Sequence, residues 1–340
     1  MIEIVSLEDA QELDEFVKNH RYCHFMQTSL WGNVKNDWGW QGLICRRDGQ
    51  IRGTMVLLRH DVRRLGTCML YAPRGPIFDP DDLDTFRELV QGAKNLAQAQ
   101  HAYLLRLDPR IRAENHQFET AAKALGFTID QASDYSLFQP RMCYVKNLEG
   151  LTAESLPAGY HRSTRYNAHL AQRRGVTVRR GELSDLPVFC ELMKETAEKN
   201  DFVPKTYEHF AHYLTALGDA AQFYVAEKEG RIIAAAIAVT YGNRMWHMYG
   251  CSHRSSLKDH PNELIQLTMQ LDAINAGCRW FDFRGVEGYP TEDNPKLGLH
   301  QYKQGFGGEF REYIGQLDFV LRPWCAKAVN QYIRLHKHRK

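Results

Sequence analysis

The stretch GLICRRDGQIRGTMVLLR, residues 42–59, carries two apolar runs on either side of Asp48-Gly49. Asp-Gly turns a chain back on itself within two residues, so the stretch reads as a β-hairpin. A second stretch, QFYVAEKEGRIIAAAIAVTYG at 222–242, reads the same way about Glu229-Gly230. The same signals flank both hairpins. Before the first, residues 1–5 form a short β-rich run, and Ser6-Leu7-Glu8-Asp9 opens a helix with Ser6 as N-cap and Asp9 in the acidic first turn. After it, CMLYAPRGPIFD (68–79) reads as a strand, 81–98 as a helix, and AYLLRLDP (102–109) as a buried strand stopped by Pro109. In the second half, VTVRRG (176–181) is a strand, Ser184-Asp185-Leu186-Pro187 opens a helix with an early proline, and RMWHMYGCS (244–252) is a strand. A helix over 262–276 and the strand CRWFDFRG (278–285) complete the set.

Three pairs of landmarks measure the repeat. Ser6 and Glu182 stand 176 residues apart, Gly49 and Gly230 181, and Asp108 and Asp282 174. A near-constant offset predicts a duplicated module of strand, helix, hairpin, strand, helix, strand. The fold class expected is α/β with mixed sheets, in two tandem copies of the acyl-CoA N-acyltransferase (GNAT-like) order, in which a sheet splays to admit an acyl donor.

The bulk numbers exclude several classes. A chain of 340 residues, 44% hydrophobic and 25% charged, is that of a two-domain globular protein. No apolar run approaches the ~20 residues that span a bilayer. The opening MIEIVSLEDAQELDEF is acidic and patterned, unlike a signal or transit peptide, which leads to a cytoplasmic expectation. The eight cysteines are scattered without a CxxC pair, so they read as reduced thiols, and no metal site is expected. A net charge of +2 gives no global field for nucleic acid, and polyanion contact must be local.

Local signals follow. RRLGTC (63–68) and QGFGGE (304–309) resemble coenzyme A pyrophosphate loops only in part. FMQTSLWGNVKNDWGW (25–40) sets Lys35 among three tryptophans; its plain reading is a helix with Trp31 and Val34 inward and Lys35 in solvent. In YAPRGPIFD (71–79), Arg74-Gly75-Pro76 is either a turn or a rigid loop offering a guanidinium to an anion. LRLDP (105–109) puts Asp108 at a strand end, as a turn cap or a functional carboxylate. Six arginines, at 162, 165, 173, 174, 179 and 180, form either a solvated face or a phosphate-binding patch. In GLHQYKQGFGGEF (298–310), Lys303 lies among aromatic and glycine residues, where a cation can stabilise an oxyanion.

These motifs, with QRRGVTV (172–178), FVPKTYEHF (202–210), WHMYGCS (246–252) and FDFRGVEG (281–288), occur in an order that resembles the Fem family of non-ribosomal peptidyl transferases along nearly the whole chain. The resemblance implies two GNAT-like subdomains, 1–143 with 315–340 for the acceptor and 144–314 for the aminoacyl-tRNA and the catalytic lysine. It implies transfer of an amino acid from aminoacyl-tRNA to the stem-peptide amine of a peptidoglycan precursor, in interpeptide bridge formation. The acceptor is either UDP-MurNAc-pentapeptide or its lipid-linked form, and in the latter case membrane contact is peripheral. No long heptad run is present, so the chain is similar to the compact members that lack a coiled-coil arm. No cofactor is implied beyond the tRNA co-substrate.

The resemblance also implies roles. Lys303 and Tyr302 match the lysine–aromatic pair at the reaction centre, and Asp108 an acidic residue near the acceptor amine. Lys35 matches a lysine on the nucleotide-sugar diphosphate. Lys205 stands where an arginine serves that diphosphate, and loses its bidentate fork. His209 replaces a usual tyrosine, Tyr249 matches a substrate-contacting tyrosine, and Arg74 is a further anion-binding candidate. Three other readings remain: an acyl-CoA N-acyltransferase, a non-catalytic tRNA- or precursor-binding protein, and tRNA-dependent transfer to a different amine.

Overall fold

The computed structural model describes residues 1–200 and 202–336. The chain forms two compact units, Met1–Arg141 together with the part from Glu312 onward, and Met142–Arg311. The first unit opens with β1 (Ile2–Val5), α1 (Gln11–Asn19), α2 (Ser29–Val34), β2 (Gly39–Arg47), β3 (Gln50–Val62), β4 (Thr67–Ala72) and β5 (Ile77–Phe78). It continues with α3 (Leu83–Ala99), β6 (Ala102–Leu107), α4 (His116–Ala124) and β7 (Thr128–Asp130). The second unit holds β8 (Met142–Asn147), α5 (Arg162–Arg173), β9 (Thr177–Arg180), α6 (Leu186–Asn200), α7 (Tyr207–Leu217), β10 (Ala221–Lys228), β11 (Arg231–Tyr241) and β12 (Arg244–Ser252). There follow α8 (Pro261–Asn275), β13 (Trp280–Val286), α9 (Leu297–Gly305) and β14 (Glu309–Glu312). The chain then returns to the first unit as β15 (Gln316–Val320) and α10 (Pro323–His336).

The repeat is explicit in the strand orders. The first sheet runs β1-β2-β3-β4-β6-β15-β7, with β5 paired to β3, and the second runs β9-β10-β11-β12-β13-β8-β14. Each sheet holds one parallel pair, β4 with β6 and β12 with β13, beside the antiparallel pairs of β1 with β2, β2 with β3, β9 with β10, β10 with β11 and β11 with β12. Both predicted hairpins form, with Arg47 opposite Gln50 and Lys228 opposite Arg231. All four turn residues have positive φ, at 53° and 74° for Asp48-Gly49 and 53° and 73° for Glu229-Gly230. This is the two-residue turn whose twist matches that of the strands it joins. The chain is thus α/β with two tandem mixed sheets.

Period-two alternation decides what each strand covers. On β4, Cys68, Leu70 and Ala72 face a core with Phe86, Leu89 and Val90 of α3, while Met69 and Tyr71 pack on the other side with Tyr103, Leu104 and Val329. In the second unit Ala234, Ala236 and Ala238 of β11 meet Leu264, Ile265 and Met269 of α8.

Several local expectations need correction. α1 starts at Gln11, not at Ser6, because Ser6 and Asp9 close their own turn through Ser6 Oγ to Asp9 Oδ2 at 2.6 Å. The strand expected over 68–79 breaks after Ala72, since Pro73 and Pro76 lack ladder donors, and resumes only as Ile77–Phe78. α2 is only six residues long, and Lys35 lies beyond its end rather than on its solvent face. RRLGTC sits in the β3–β4 connection and QGFGGE at the end of α9, so neither opens a helix as a pyrophosphate loop must.

Candidate functional site

In the first unit, β6 ends by delivering Asp108 into the interior, where it is 4% exposed. Its carboxylate accepts from the Tyr71 hydroxyl and from the backbone N–H of Arg74. Burial pushes the carboxyl up to about 6, against Arg74, the Tyr71 hydroxyl and Arg106, which all pull it down. Arg74 adopts φ +58° and is itself buried. It donates from Nη2 to the Pro140 carbonyl at 2.7 Å and lies over the Tyr313 ring. The loop is held by Gln27, whose amide spans Val56 N–H at 2.9 Å, Val56 O at 3.2 Å and Pro73 O at 2.9 Å. Arg74 and Asp108 are therefore partners, a pairing invisible in the sequence. Lys35 is half-buried, with Nζ 5.6 Å from the Trp31 ring centroid and 6.0 Å from that of Trp38.

In the second unit, β12 and β13 pair in parallel only from Arg244 opposite Trp280 to Trp246 opposite Asp282. In the first unit the equivalent strands stay paired from Cys68 with Ala102 to Ala72 with Leu107. Only the second sheet opens. Past Trp246, β12 lines a cavity of about 390 Å³, with Ala235 and Ala236 of β11, Gln266 of α8, and Leu299 and Tyr302 of α9 on the other walls.

Lys303 follows Tyr302 on α9 and is 7% exposed. Its Nζ donates to the carbonyl oxygens of Gly285 at 2.6 Å and Arg284 at 3.2 Å, at the end of β13. Burial brings the amine down to about 8, opposed by Cys143 and Asp282 and assisted by Arg284. An ammonium has three N–H donors, and two are committed here. α9 is fixed by His300, which meets the Tyr144 hydroxyl at 3.2 Å and the Glu287 carbonyl at 3.1 Å.

His209 and Tyr249 converge on one aromatic group. Tyr249 stands edge-on to Phe210 and Tyr213, and His209 stacks on Tyr213. Lys205 is exposed, just before Thr206, the cap of α7.

Sequence reasoning missed two residues of this unit. His247 of β12 lines the cavity, with Nδ1 2.8 Å from Gln266 Nε2. Burial and the charge of Lys303 hold it down to about 4, so the imidazole is neutral at physiological pH. Its Nε2 and Gln266 Oε1 find no partner among the described residues, although enclosed polar atoms are nearly always satisfied. Lys146 is also buried, donates to the Phe306 carbonyl at 2.8 Å and is brought down to about 8. Alternation in WHMYG marks His247 only as one face of a strand, and nothing local distinguishes Lys146 from a surface lysine.

The arginine run divides. Arg179 pairs with Asp185 and Glu227, Arg180 with Asp272, and Arg174 with Asp259. Arg162, Arg165 and Arg173 of α5 form no salt bridge with a described carboxylate, and their spacing sets them on one helix face with Tyr166 and His169.

The FemAB family profile matches residues 9–229 and 227–333. The chain belongs to the FemAB family. Among curated family relatives, the Lipid II:glycine glycyltransferase of Staphylococcus aureus (strain bovine RF122 / ET3-1) is 27% identical, over 94% of each chain. The protein of the same name from strain USA300 is 26% identical, again over 94% of each chain. Among solved structures, that of FemX superposes with a TM-score of 0.88 at 23% identity, covering 97% of this chain and 99% of that one. A tandem GNAT protein from the clavulanic acid biosynthesis pathway aligns at 0.54 with 15% identity, over 94% and 98%. The FemX likeness and the GNAT likeness agree with the two-sheet architecture described above.

Proposed function

We propose that this chain, an aminoacyltransferase of the FemAB family, moves an amino acid from aminoacyl-tRNA to the stem-peptide amine of a peptidoglycan precursor and so builds the interpeptide bridge. The observation that carries the reading is Lys303: a buried ammonium, anchored through two donors to the Gly285 and Arg284 carbonyls, with a third left for chemistry. The name of the Staphylococcus aureus relatives, Lipid II:glycine glycyltransferase, favours a lipid-linked acceptor. Aminoacyl-tRNA and the precursor meet in the cytoplasm, where the reaction is assigned.

The donor ester is already activated, so no covalent enzyme intermediate is required. The amine nitrogen forms the new C–N bond while the C–O ester bond to the ribose breaks. Starting from the ammonium form, the nitrogen gives up two protons, one to the base before attack and one as the C–N bond forms, and the second replaces the proton that the departing ribose oxygen gains. A lysine-type amine is mostly protonated at neutral pH, and Asp108, with its carboxyl near 6, is suited to orient it and take that proton. Lys303 stabilises the tetrahedral oxyanion and supplies a proton toward the leaving oxygen. The cavity beside Tyr302, where His247 Nε2 and Gln266 Oε1 have no partner among the described residues, suits the polar aminoacyl end of the donor. The arginine face of α5 suits tRNA phosphates. Lys35 and Lys205 are assigned to the acceptor diphosphate, with Tyr249, His209 and Arg74 in supporting substrate contacts.

The test is mass spectrometry of UDP-linked pentapeptide and lipid-linked precursor, each with lysine or diaminopimelate stems, after incubation with protein and fully charged total tRNA. A mass gain names the amino acid and the acceptor together. No gain on any acceptor, with acetylation from acetyl-CoA of a general amine panel, would replace this reading with the acyl-CoA one. Transfer from tRNA to a non-peptidoglycan amine alone would replace the acceptor.

A further inference from the structure

The first unit contains a groove of about 800 Å³ that none of the assignments above uses. It lies where α10 leans on β6 without covering the whole sheet face. Its walls include Trp38, Met69, Tyr103, Leu104, Phe138 and Val329. The volume is within the roughly 300–1,000 Å³ of small-molecule sites. Cations outnumber anions at the rim: Arg63 and Arg64 are exposed and form no salt bridge with a described carboxylate, Arg64 lies over the Tyr332 ring, and the rim carboxylate of Asp61 is paired with Arg59. Leu65 beside them is 42% exposed and Phe138 is 46% exposed. Large apolar side chains left open around a concave surface mark a place where apolar matter binds.

Two contacts tie the groove to acceptor-side residues. Lys35 lies against the ring of Trp38, which also meets His60 in a tilted contact at 4.5 Å between centroids. On another wall Phe138 stands edge-on to Tyr71 at 5.1 Å, and Tyr71 holds Asp108 through its hydroxyl. Through Trp38 the groove wall reaches the residue assigned to a diphosphate, and through Phe138 and then Tyr71 it reaches the residue assigned to the amine.

We infer that this groove binds the isoprenoid chain of a polyprenyl diphosphate-linked acceptor, with Lys35, Arg63 and Arg64 facing the diphosphate end. An apolar trough with cations at its margin is complementary to a long hydrocarbon that ends in a dianionic head. A nucleotide-linked acceptor has no hydrocarbon to fill it. The inference rests on the function proposed above and selects the lipid-linked acceptor.

The experiment uses full-length protein and a diazirine-bearing polyprenyl diphosphate. Photolabelling followed by peptide mapping is expected to mark Met69, Tyr103, Leu104, Phe138 or Val329. Labelling elsewhere, no labelling, or equal labelling of these residues by a diazirine phosphatidylglycerol would overturn the assignment, the last in favour of a general lipid surface. A second arm measures transfer with Leu65→Glu and with the Arg63→Glu/Arg64→Glu pair, all at exposed positions. Leu65→Glu should raise KM for the lipid-linked precursor about tenfold with KM for UDP-linked pentapeptide unchanged, whereas the arginine pair faces the diphosphate that both acceptors carry and should raise both KM values. For Leu65→Glu, an equal change on both acceptors, or none on either, overturns the groove. Labelling does not depend on turnover. Absence of transfer to every acceptor therefore fails the proposed function, whereas transfer without groove labelling fails this inference alone.

Discussion

Lys303 Nζ donates to the Gly285 carbonyl oxygen at 2.6 Å, which ties the side chain of α9 to the end of the one strand that parts from its parallel neighbour. The amine is fixed by backbone, so its direction does not depend on a mobile side-chain partner. Lys303→Met should lower kcat by about 10²–10³, the scale of a lost oxyanion-stabilising donor, while acceptor binding persists. Single-turnover transfer with pre-charged tRNA reads the chemical step directly. Near-normal turnover in that assay would remove Lys303 from the reaction.

The pH profile follows from two groups. Asp108 must be ionised to take a proton, and its carboxyl is pushed up to about 6. Lys303 must be protonated to act, and its amine is brought down to about 8. kcat/KM should therefore rise through about 6 and fall above about 8. Asp108→Asn should abolish the acid limb along with most activity. Lys303→Arg should move the basic limb out of range in whatever activity remains. A profile flat from pH 5 to 9 would contradict both assignments.

The same carboxyl predicts a stability effect of defined sign. Its folded value of about 6 lies above the ordinary 3.8, so the folded state holds the proton more tightly than the unfolded chain. Asp108 therefore contributes stability below 3.8 and loses it as pH rises through about 6. The Tm of Asp108→Asn relative to the natural protein should climb between pH 4 and 6 and then level off. A difference that falls with pH would mean the carboxyl is not desolvated in solution.

The arginines of α5 predict a salt dependence. Replacing Arg162, Arg165 and Arg173 together with Ala should reduce the slope of log K against log salt for uncharged tRNA by roughly 2–3 units. Arg179→Ala is the control, because its guanidinium is already engaged by Asp185 and Glu227. If Arg179→Ala changes the slope as much as the triple variant, the α5 face is not the RNA contact.

Gly75 predicts a coupling between loop and site. A Cβ there would overlap the Gln27 amide, which holds both Val56 and the Pro73 carbonyl. Gly75→Ala should cost about 2–4 kcal/mol in urea unfolding. It should also shift the acid limb, because Arg74 N–H would no longer sit on Asp108.

Much of this architecture is legible locally. A two-residue turn with positive φ needs Gly at its second position, so Asp48-Gly49 and Glu229-Gly230 announce both hairpins and, through their spacing, the repeat. Apolar alternation around them names the strands. Short-range chemistry also misleads: Ser6 and Asp9 look like a helix start but satisfy one another first. The catalytic candidates Lys303 and Asp108 entered through family motifs, since a single lysine or aspartate carries no local mark of burial.

The sequence by itself determined the two modules, their element order and the family, because hydrophobic period and turn chemistry act over a few residues. Tertiary structure alone decided which carboxylate Arg74 serves, that His247 joins Tyr302 in one cavity, and that β15 enters the first sheet between β6 and β7. Each of these joins residues distant in the chain. Only packing brings them together, and only burial then shifts an aspartate to about 6 and a lysine to about 8.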